Sequence, residues 1–353
     1  MYAFDEVTAD ADNFRLTVLN GQPYRPLYVK LKLVWDCNLK CGMCNHWRRR
    51  ERLALSDEQL HQLVLDLAEW GCRKIHITGG EPTLYPQLPT LINHMSNHNI
   101  RVNMTTNATL IDRDNSRALA SAGLRAVNVS IDSPNRKIHD QIRGLNGAWK
   151  KTYKGTRYLR KRLKKGKLRI NTVVGQLNYA SLVDLPDLAL DLGADGLNLI
   201  PLDEHTPDLH RLSKRQIRHY NQEIAPIIAQ KALAHGLIKH ENDAYPFGRT
   251  PDEIRRSKAG HYAQGYYNDN PCFAPWTHAL IDHLGRVSLC CMLRGQPILG
   301  DLRHQTFTEI WTGAHYANLR RTTDLPLFNA CRQCDDFLTE NQQFNQILNN
   351  HHE

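Results

Sequence analysis

The 353-residue chain is 41% hydrophobic, carries a formal charge of +9 and has no low-complexity tract, which suits one large buried core with a smaller module beside it. No run approaches the roughly 18 apolar residues of a membrane span, and the opening MYAFDEVTADADNF is acidic where a secretory signal is basic and then apolar. These features exclude a transmembrane helix and a secreted disulfide scaffold and predict a cytoplasmic protein, in which nine cysteines, grouped near the front and near the end, read as metal ligands.

The first predicted strand, Lys30 to Trp35, runs into WDCNLKCGMCNHW, Trp35 to Trp47. Its three cysteines, Cys37, Cys41 and Cys44, are spaced C-x3-C-x2-C. Structural zinc and an ordinary iron-sulfur cluster each take four protein ligands, so three leave a position open for chemistry. The next segment, SDEQLHQLVLDLAEWG, predicts a helix. Ser56 and Gln59 form a capping box, Leu60, Leu63, Val64, Leu67 and Ala68 share a face, and Gly71 ends it.

Further strands are predicted at Lys74 to Thr78, Arg101 to Thr105, Ala126 to Ile131, Leu168 to Val174 and Gly196 to Pro201, with helical sequence between them. Such alternation implies parallel strands joined by crossovers. Gly79-Gly80-Glu81-Pro82, Thr106-Asn107 and Asp132-Ser133 follow the second, third and fourth strands. In a parallel barrel those strand ends open on one face with the cysteine loop.

Between Trp149 and Arg169 there are eleven basic residues and no acid. This run reads as a solvated helix face or as a patch for an anionic substrate or acidic protein. No nucleic-acid-binding motif accompanies it, so a nucleic-acid partner is not expected. A helix from about Lys214 to His235, kinked at Pro226, follows. Tyr262, Tyr266 and Tyr267 then read as packing anchors or as a stacking platform. Farther on, PCFAPWTHALIDHLGRVSLCC predicts a hairpin with strands Thr277 to Asp282 and Arg286 to Cys291 turning at Leu284-Gly285. A helix around Thr306 to Arg321 and then ACRQCDDF complete this part.

The front motifs together resemble the radical S-adenosylmethionine (radical SAM) enzymes: CNLKCGMC matches their cysteine loop, TGGEP their GGEP motif and SIDSPNRKIHDQIRG a fourth-strand segment, over about residues 28 to 202. The resemblance implies an α/β fold, a partial (β/α)6 TIM-like barrel, in which Cys37, Cys41 and Cys44 hold a 4Fe-4S cluster. S-adenosylmethionine would chelate the remaining iron, and an electron passed to its sulfonium would release a 5′-deoxyadenosyl radical. By the same resemblance Gly79 and Gly80 allow close backbone approach to the cofactor, Glu81 accepts from its ammonium and Arg143 pairs with its carboxylate. Asn107 and Ser130 would contact methionine or ribose hydroxyls, and Asn198 and Met43 the adenine, Met43 standing where the family often has an aromatic residue.

Cys272, Gly285-x4-Cys290 and Cys331-x2-Cys334 resemble a Twitch domain, the shortened relative of the SPASM domain. It implies a second, auxiliary 4Fe-4S cluster on Cys272, Cys290, Cys331 and Cys334; a zinc knuckle on the same four thiolates is the competing reading. The division expected is an N-terminal extension (1–27), the barrel core (28–202), a helical connecting region (203–270), the Twitch-like auxiliary-cluster domain (271–340) and a tail (341–353).

The expected activity is hydrogen abstraction from a carbohydrate, aminocyclitol or nucleotide-linked sugar, giving oxidation or epimerisation. A barrel beginning by residue 28 leaves no room for a leader-peptide-binding domain, which is the ground for preferring a small polar molecule, anionic ones included, over a peptide. Peptide maturation is the alternative enzymatic reading, and a metal-stabilised RNA-binding protein the non-enzymatic one. A flavodoxin- or ferredoxin-type reductase is the expected partner, with Lys161, Lys164 and Lys165 as docking residues. Cys291, beside Cys290 but on the opposite face of a strand, is a candidate hydrogen donor or a packed core thiol; Cys72, before the second strand, lies at the far end of the barrel.

Overall fold

The computed structural model describes residues 4–48, 51, 53–202 and 210–349. The start of the expected connecting region (203–209), the end of the expected tail (350–353) and residues 1–3 lie outside the described residues. Six strands, β1 (Tyr28–Val34), β2 (Lys74–Gly79), β3 (Arg101–Thr106), β4 (Leu124–Ser130), β5 (Lys167–Val174) and β6 (Gly196–Pro201), run parallel in neighbouring order. The crossovers are α1 (Asp57–Glu69), α2 (Leu88–Asn97), α3 (Arg113–Ser121), the pair α4 (Arg136–Arg143) and α5 (Ala148–Arg162), and α6 (Leu185–Asp191). The result is an open, partial barrel, as the alternation predicts.

One face of every strand is apolar: Leu31 and Leu33, Ile75 and Ile77, Val102 and Met104, Val127 and Val129 pack against Leu63, Val64 and Leu67 of α1 and their counterparts on the other helices. Each such side chain contributes about 1.5–3 kcal/mol over exposure. The Ser56–Gln59 capping box starts α1.

The sheet does not end at β1. β7 (His278–Ile281) pairs parallel with β1, and β8 (Arg286–Ser288) and β9 (Ile298–Asp301) continue it antiparallel, giving nine strands in the order β6-β5-β4-β3-β2-β1-β7-β8-β9. The C-terminal hairpin is thus built onto the barrel edge by backbone hydrogen bonds. Its turn is made by Asp282, whose carboxylate accepts from the amides of Leu284 and Arg286, and by Gly285 at φ +80°.

Three elements differ from expectation. β8 stops at Ser288, so Cys290 is extended chain and Cys291 opens a 3-10 turn, Cys291–Leu293. The helix expected around Pro226 is Lys214–His219, a π turn at Tyr220–Ile224 and then Ala225–Ala234, because Pro226 has no N–H to close the regular ladder. The helix expected over Thr306 to Arg321 breaks at Gly313 into Phe307–Thr312 and Ala314–Arg321. Beyond Cys334 the chain forms a helix, Leu338–Asn349, whose Phe344 packs tilted on Phe14 of the N-terminal helix Ala11–Leu19 and edge-on to Phe273. Among the described residues no helix is long and apolar enough to cross a membrane.

Candidate cluster and cofactor site

The loop carrying Cys37, Cys41 and Cys44 is held from two sides. Gly80 donates its amide to Val34 O at 2.7 Å and Glu81 to Asp36 O at 2.9 Å. From the other side Lys40 donates to Arg143 O and Gly42 to Ile142 O, both at 3.2 Å, so the C-terminus of α4 grips the loop. These approaches leave no room for a Cβ. One on Gly79, at φ +118°, would fall 2.2 Å from Val34 O, and one on Gly80 would fall 2.0 Å from Asp36 O.

The thiols sit among donors. Asn107 Nδ2 lies 3.9 Å from Cys37 Sγ, and Arg143 Nη1 3.9 Å from Cys41 Sγ. Burial pushes the Cys37 thiol up to about 11, and the charges of Glu81, Cys41 and Cys44 push the same way. Burial also raises Cys41, which Arg143 counters.

Beside the loop is a cleft of about 190 Å³ lined mainly by apolar groups, among them Met43, Ile142, Val173, Leu177 and Leu202. The barrel interior is a separate and larger cavity of about 640 Å³, and it is polar. Lys30, Lys74, His76, Asn128, Arg169 and Asn171 are among its walls, with Asp336 and Glu340 closing it from the C-terminal segment. A closed barrel fills this space with branched apolar side chains; here it is a chamber.

The second cysteine group lies by the start of β1, at the opposite end of the strands from the first. Cys290 and Cys334 pack with Tyr28, Tyr267 and Phe337. All four thiols are raised by burial, Cys272 to about 12, and Cys272 is pushed further by Cys331, Cys334 by Cys272, and Cys290 by both Cys334 and Cys272. Among the described residues no three or more His, Cys, Asp or Glu side chains are grouped to hold a single metal ion; a 4Fe-4S cube spreads its thiolates over separate irons.

Two family models match: the radical SAM superfamily over residues 36–189 and an iron-sulfur cluster-binding domain of SPASM type over residues 272–335. The chain carries a radical SAM domain. It is 33% identical over 176 residues to a PqqA peptide cyclase of Rhodopseudomonas palustris, covering 49% of this chain and 46% of that one, so the match spans about half the length of that relative. It is 26% identical over 329 residues to an AdoMet-dependent heme synthase of Methanosarcina barkeri, covering 85% of this chain and 86% of the other. The fold is similar to that of Streptococcus suis SuiB bound to precursor peptide SuiA, with TM-score 0.64 and 19% identity over 94% of this chain and 76% of that chain.

A radical SAM domain implies S-adenosylmethionine and a 4Fe-4S cluster, and the SPASM-type domain at least one further cluster. The residues fit. Three thiols share one loop with amide and guanidinium groups 3.9 Å from two of them, the apolar cleft beside Met43 suits an adenosine, and four thiols, two buried and two half-buried, lie together at the other end.

Several contacts expected of this radical SAM barrel are nevertheless used internally. Glu81 is buried, and its carboxylate accepts from Thr83 N and Oγ1, from Thr106 Oγ1 at 2.6 Å and from Asn107 N at 2.8 Å. Four protein donors thus stand where a cofactor ammonium was expected, and Glu81 ties the GGEP segment to the end of β3. Gly79 and Gly80 make room for the exit of β1. Arg143 Nε lies 2.8 Å from Asp132 Oδ2 in the interior, an ion pair within the protein where a cofactor carboxylate was expected. Asn107 uses its amide on Asn38 Oδ1 at 2.9 Å and its oxygen on Thr109. Asn198 lies in the chamber, bonded to Asn171 Oδ1 at 2.8 Å, and not at the cleft beside Met43. Ser130 ends β4 half-buried, in register with Asn171.

Cys291 borders the four-thiol group on one side and an ion pair on the other. Its Sγ lies 3.3 Å from Lys30 Nζ and 3.0 Å from Asp336 Oδ2, and Lys30 and Asp336 form an ion pair. It lies in a 3-10 turn rather than on a strand, half-buried against the apolar cluster of Tyr28, Met292 and Phe337. Lys161, Lys164 and Lys165 lie at the end of α5 and in the turn before β5, at the opposite end of the barrel from Cys37. Tyr262 bonds Leu202 O, and Tyr267 and Tyr266 bond Asn341 and Asn345, so the tyrosines anchor packing.

Lys30, Asp132, Arg169 and Asp336 were missed as site residues. One signal was present: parallel strands covered on both faces read as continuous apolar runs, whereas YVKLKLV, KIHITG and KLRINTVV alternate. That alternation marks a polar interior.

Proposed function

We propose that this radical SAM protein is a cytoplasmic peptide maturase, whose substrate residue enters the polar chamber between the two cysteine groups. Cys37, Cys41 and Cys44 would hold the cofactor-binding cluster, Met43, Ile142 and Val173 the adenosine, and Cys272, Cys290, Cys331 and Cys334 the auxiliary cluster. Together the cofactors supply reductive cleavage of the sulfonium and hydrogen abstraction at an unactivated carbon. The chain's own side chains supply the rest. Arg143 and Asn107 offer N–H groups to the cluster thiolates, and amides and hydroxyls such as Asn128, Asn171 and Thr105 can orient a polar substrate.

The chamber's chemistry is the observation that carries this reading. Side-chain amides facing inward match peptide N–H and C=O groups, whereas an apolar macrocycle would leave them unpaired. The barrel's 33% identity to a peptide cyclase points the same way, and so favours peptide over the carbohydrate expected from sequence. A flavodoxin- or ferredoxin-type protein is the proposed electron donor. The test is incubation of the reconstituted protein with S-adenosylmethionine, dithionite and perdeuterated peptides encoded beside its gene. Deuterium in 5′-deoxyadenosine is expected; transfer only from a deuterated sugar would replace the peptide reading with the carbohydrate one.

A further inference from the structure

Arg169 is the third residue of β5, in register with Asn128 of β4 and Gly196 of β6, and lines the chamber. Glycine at 196 leaves space for its stem: a Cβ there would stand 3.4 Å from Arg169 Cγ. Among the described residues Arg169 has neither an ion-pair nor a hydrogen-bond partner. That is unusual for a half-buried guanidinium with five donors.

The surroundings sharpen the point. Lys74, on the same chamber wall, has its ammonium held down at about 8 by burial first and then by Arg169 and Arg101, with Glu340 opposing. His76 is lowered to about 3 by burial and then by Lys30 and Lys74. Three acids line this chamber, Asp335, Asp336 and Glu340; Asp336 is taken by Lys30, and Glu340 acts on Lys74. Several groups therefore report one cationic field on the β2–β5 side of the cavity, with the amide of Asn128 beside Arg169.

We propose that this wall is a subsite for a substrate carboxylate, with Arg169 as its bidentate anchor, Lys74 as a second charge and the Asn128 amide as a further donor. The inference rests on the reading of the chamber as the substrate site, and it narrows the substrate to one with an acidic group. A planar guanidinium matches the two carboxylate oxygens in a way that an ammonium does not. The partly enclosed position strengthens the attraction relative to a surface pair. For a peptide, the carboxylate is either an Asp or Glu side chain or the C-terminus.

Calorimetric titration of the full reconstituted chain tests this with five probes: Ac-Gly-Glu-Gly-NH2, Ac-Gly-Gln-Gly-OH, the neutral Ac-Gly-Gln-Gly-NH2, and glutarate against glutaramide as a non-peptide pair. At least one carboxylate probe should bind tenfold or more tightly than its neutral counterpart, and which peptide does so identifies side chain or terminus. Arg169→Gln should abolish the preference, and Arg169→Lys, which keeps the charge and the stem, should lose most of it; melting curves establish that both fold. Equal binding of charged and neutral probes, or a preference unchanged in both variants, overturns the subsite. The peptide reading fails separately: an Arg169-dependent preference for glutarate with no peptide binding upholds the subsite while removing the peptide.

Discussion

Arg143 Nε and Asp132 Oδ2 meet 2.8 Å apart in the interior, directly beneath the cysteine loop. Burial raises the Asp132 carboxyl and Arg143 opposes it; Asp132 in turn keeps Arg143 protonated. The pair thereby fixes a guanidinium 3.9 Å from Cys41 Sγ while the Arg143 carbonyl accepts from Lys40. Asp132→Asn leaves that charge buried without its counter-ion. The expected cost is about 3–5 kcal/mol, seen as a lower melting temperature. Iron retained by the first site should fall as well, while that bound by the four C-terminal cysteines is unchanged. A stable variant with full iron content would show that Arg143 is held by the loop alone.

Much of this architecture was legible in sequence because its signals are local. A capping box, strand-length apolar runs and closely spaced cysteines each declare themselves within about fifteen residues. What was not legible depends on pairing across the fold. The resemblance marks Glu81, Gly79 and Gly80 as cofactor contacts, but their protein partners, Thr106, Asn107, Val34 and Asp36, are reached only when β1, β2 and β3 lie side by side. β9 escaped notice for the same reason: ILGD is a strand because β8 presents an edge to it.

Position along α5 decides where an electron donor docks. Lys161, Lys164 and Lys165 are at the strand N-terminal end, whereas Lys137, Lys150 and Lys151 are exposed near the end that carries Cys37 to Cys44. Complementary charge mainly accelerates encounter. Changing Lys137, Lys150 and Lys151 to glutamate should therefore slow flavodoxin- or ferredoxin-driven cleavage of S-adenosylmethionine severalfold and flatten its salt dependence, leaving dithionite-driven cleavage intact. Glutamate at 161, 164 and 165 should change neither rate. The opposite pattern would place the donor at the other end of the barrel.

Three buried histidines make the fold acid-sensitive. His76, His139 and His278 are each lowered from 6.5 to about 3, burial being the largest cause and the charges of Lys30, Lys74 or Arg143 the next. The unfolded chain takes up these protons below its ordinary imidazole range while the folded chain does not. Stability is accordingly present above pH ~6.5 and lost as pH falls toward about 3, at up to roughly 1.4 kcal/mol per pH unit for each group. At pH ~5.5 the combined loss is about 4 kcal/mol. Chemical denaturation of the wild type between pH 7.5 and 5.5 should show it, and His278→Gln should flatten the slope by about a third. A slope unchanged by that substitution would mean His278 titrates normally.

Cys291 was a candidate hydrogen donor to a substrate radical, and its surroundings argue otherwise. Burial pushes the thiol up to about 12, with Asp336 the next cause, so it keeps its proton. The S–H, however, is directed at Asp336 Oδ2, 3.0 Å away, with the Lys30 ammonium on the other side at 3.3 Å. A donor must present its hydrogen to the substrate, and this one presents it to a carboxylate. The thiol's work is to complete the Lys30–Asp336 ion pair where the four-thiol group borders the chamber. Cys291→Ser should be near neutral, and Cys291→Ala should cost about 1 kcal/mol for one lost hydrogen bond. Asp336→Ala, which strands a buried ammonium, should cost about 3–5 kcal/mol. Once a substrate is in hand, turnover in deuterated water should give the same product deuterium content for the wild type and Cys291→Ala. Deuterium incorporated by the wild type and lost in the alanine variant would restore the donor role and make the reaction an epimerisation.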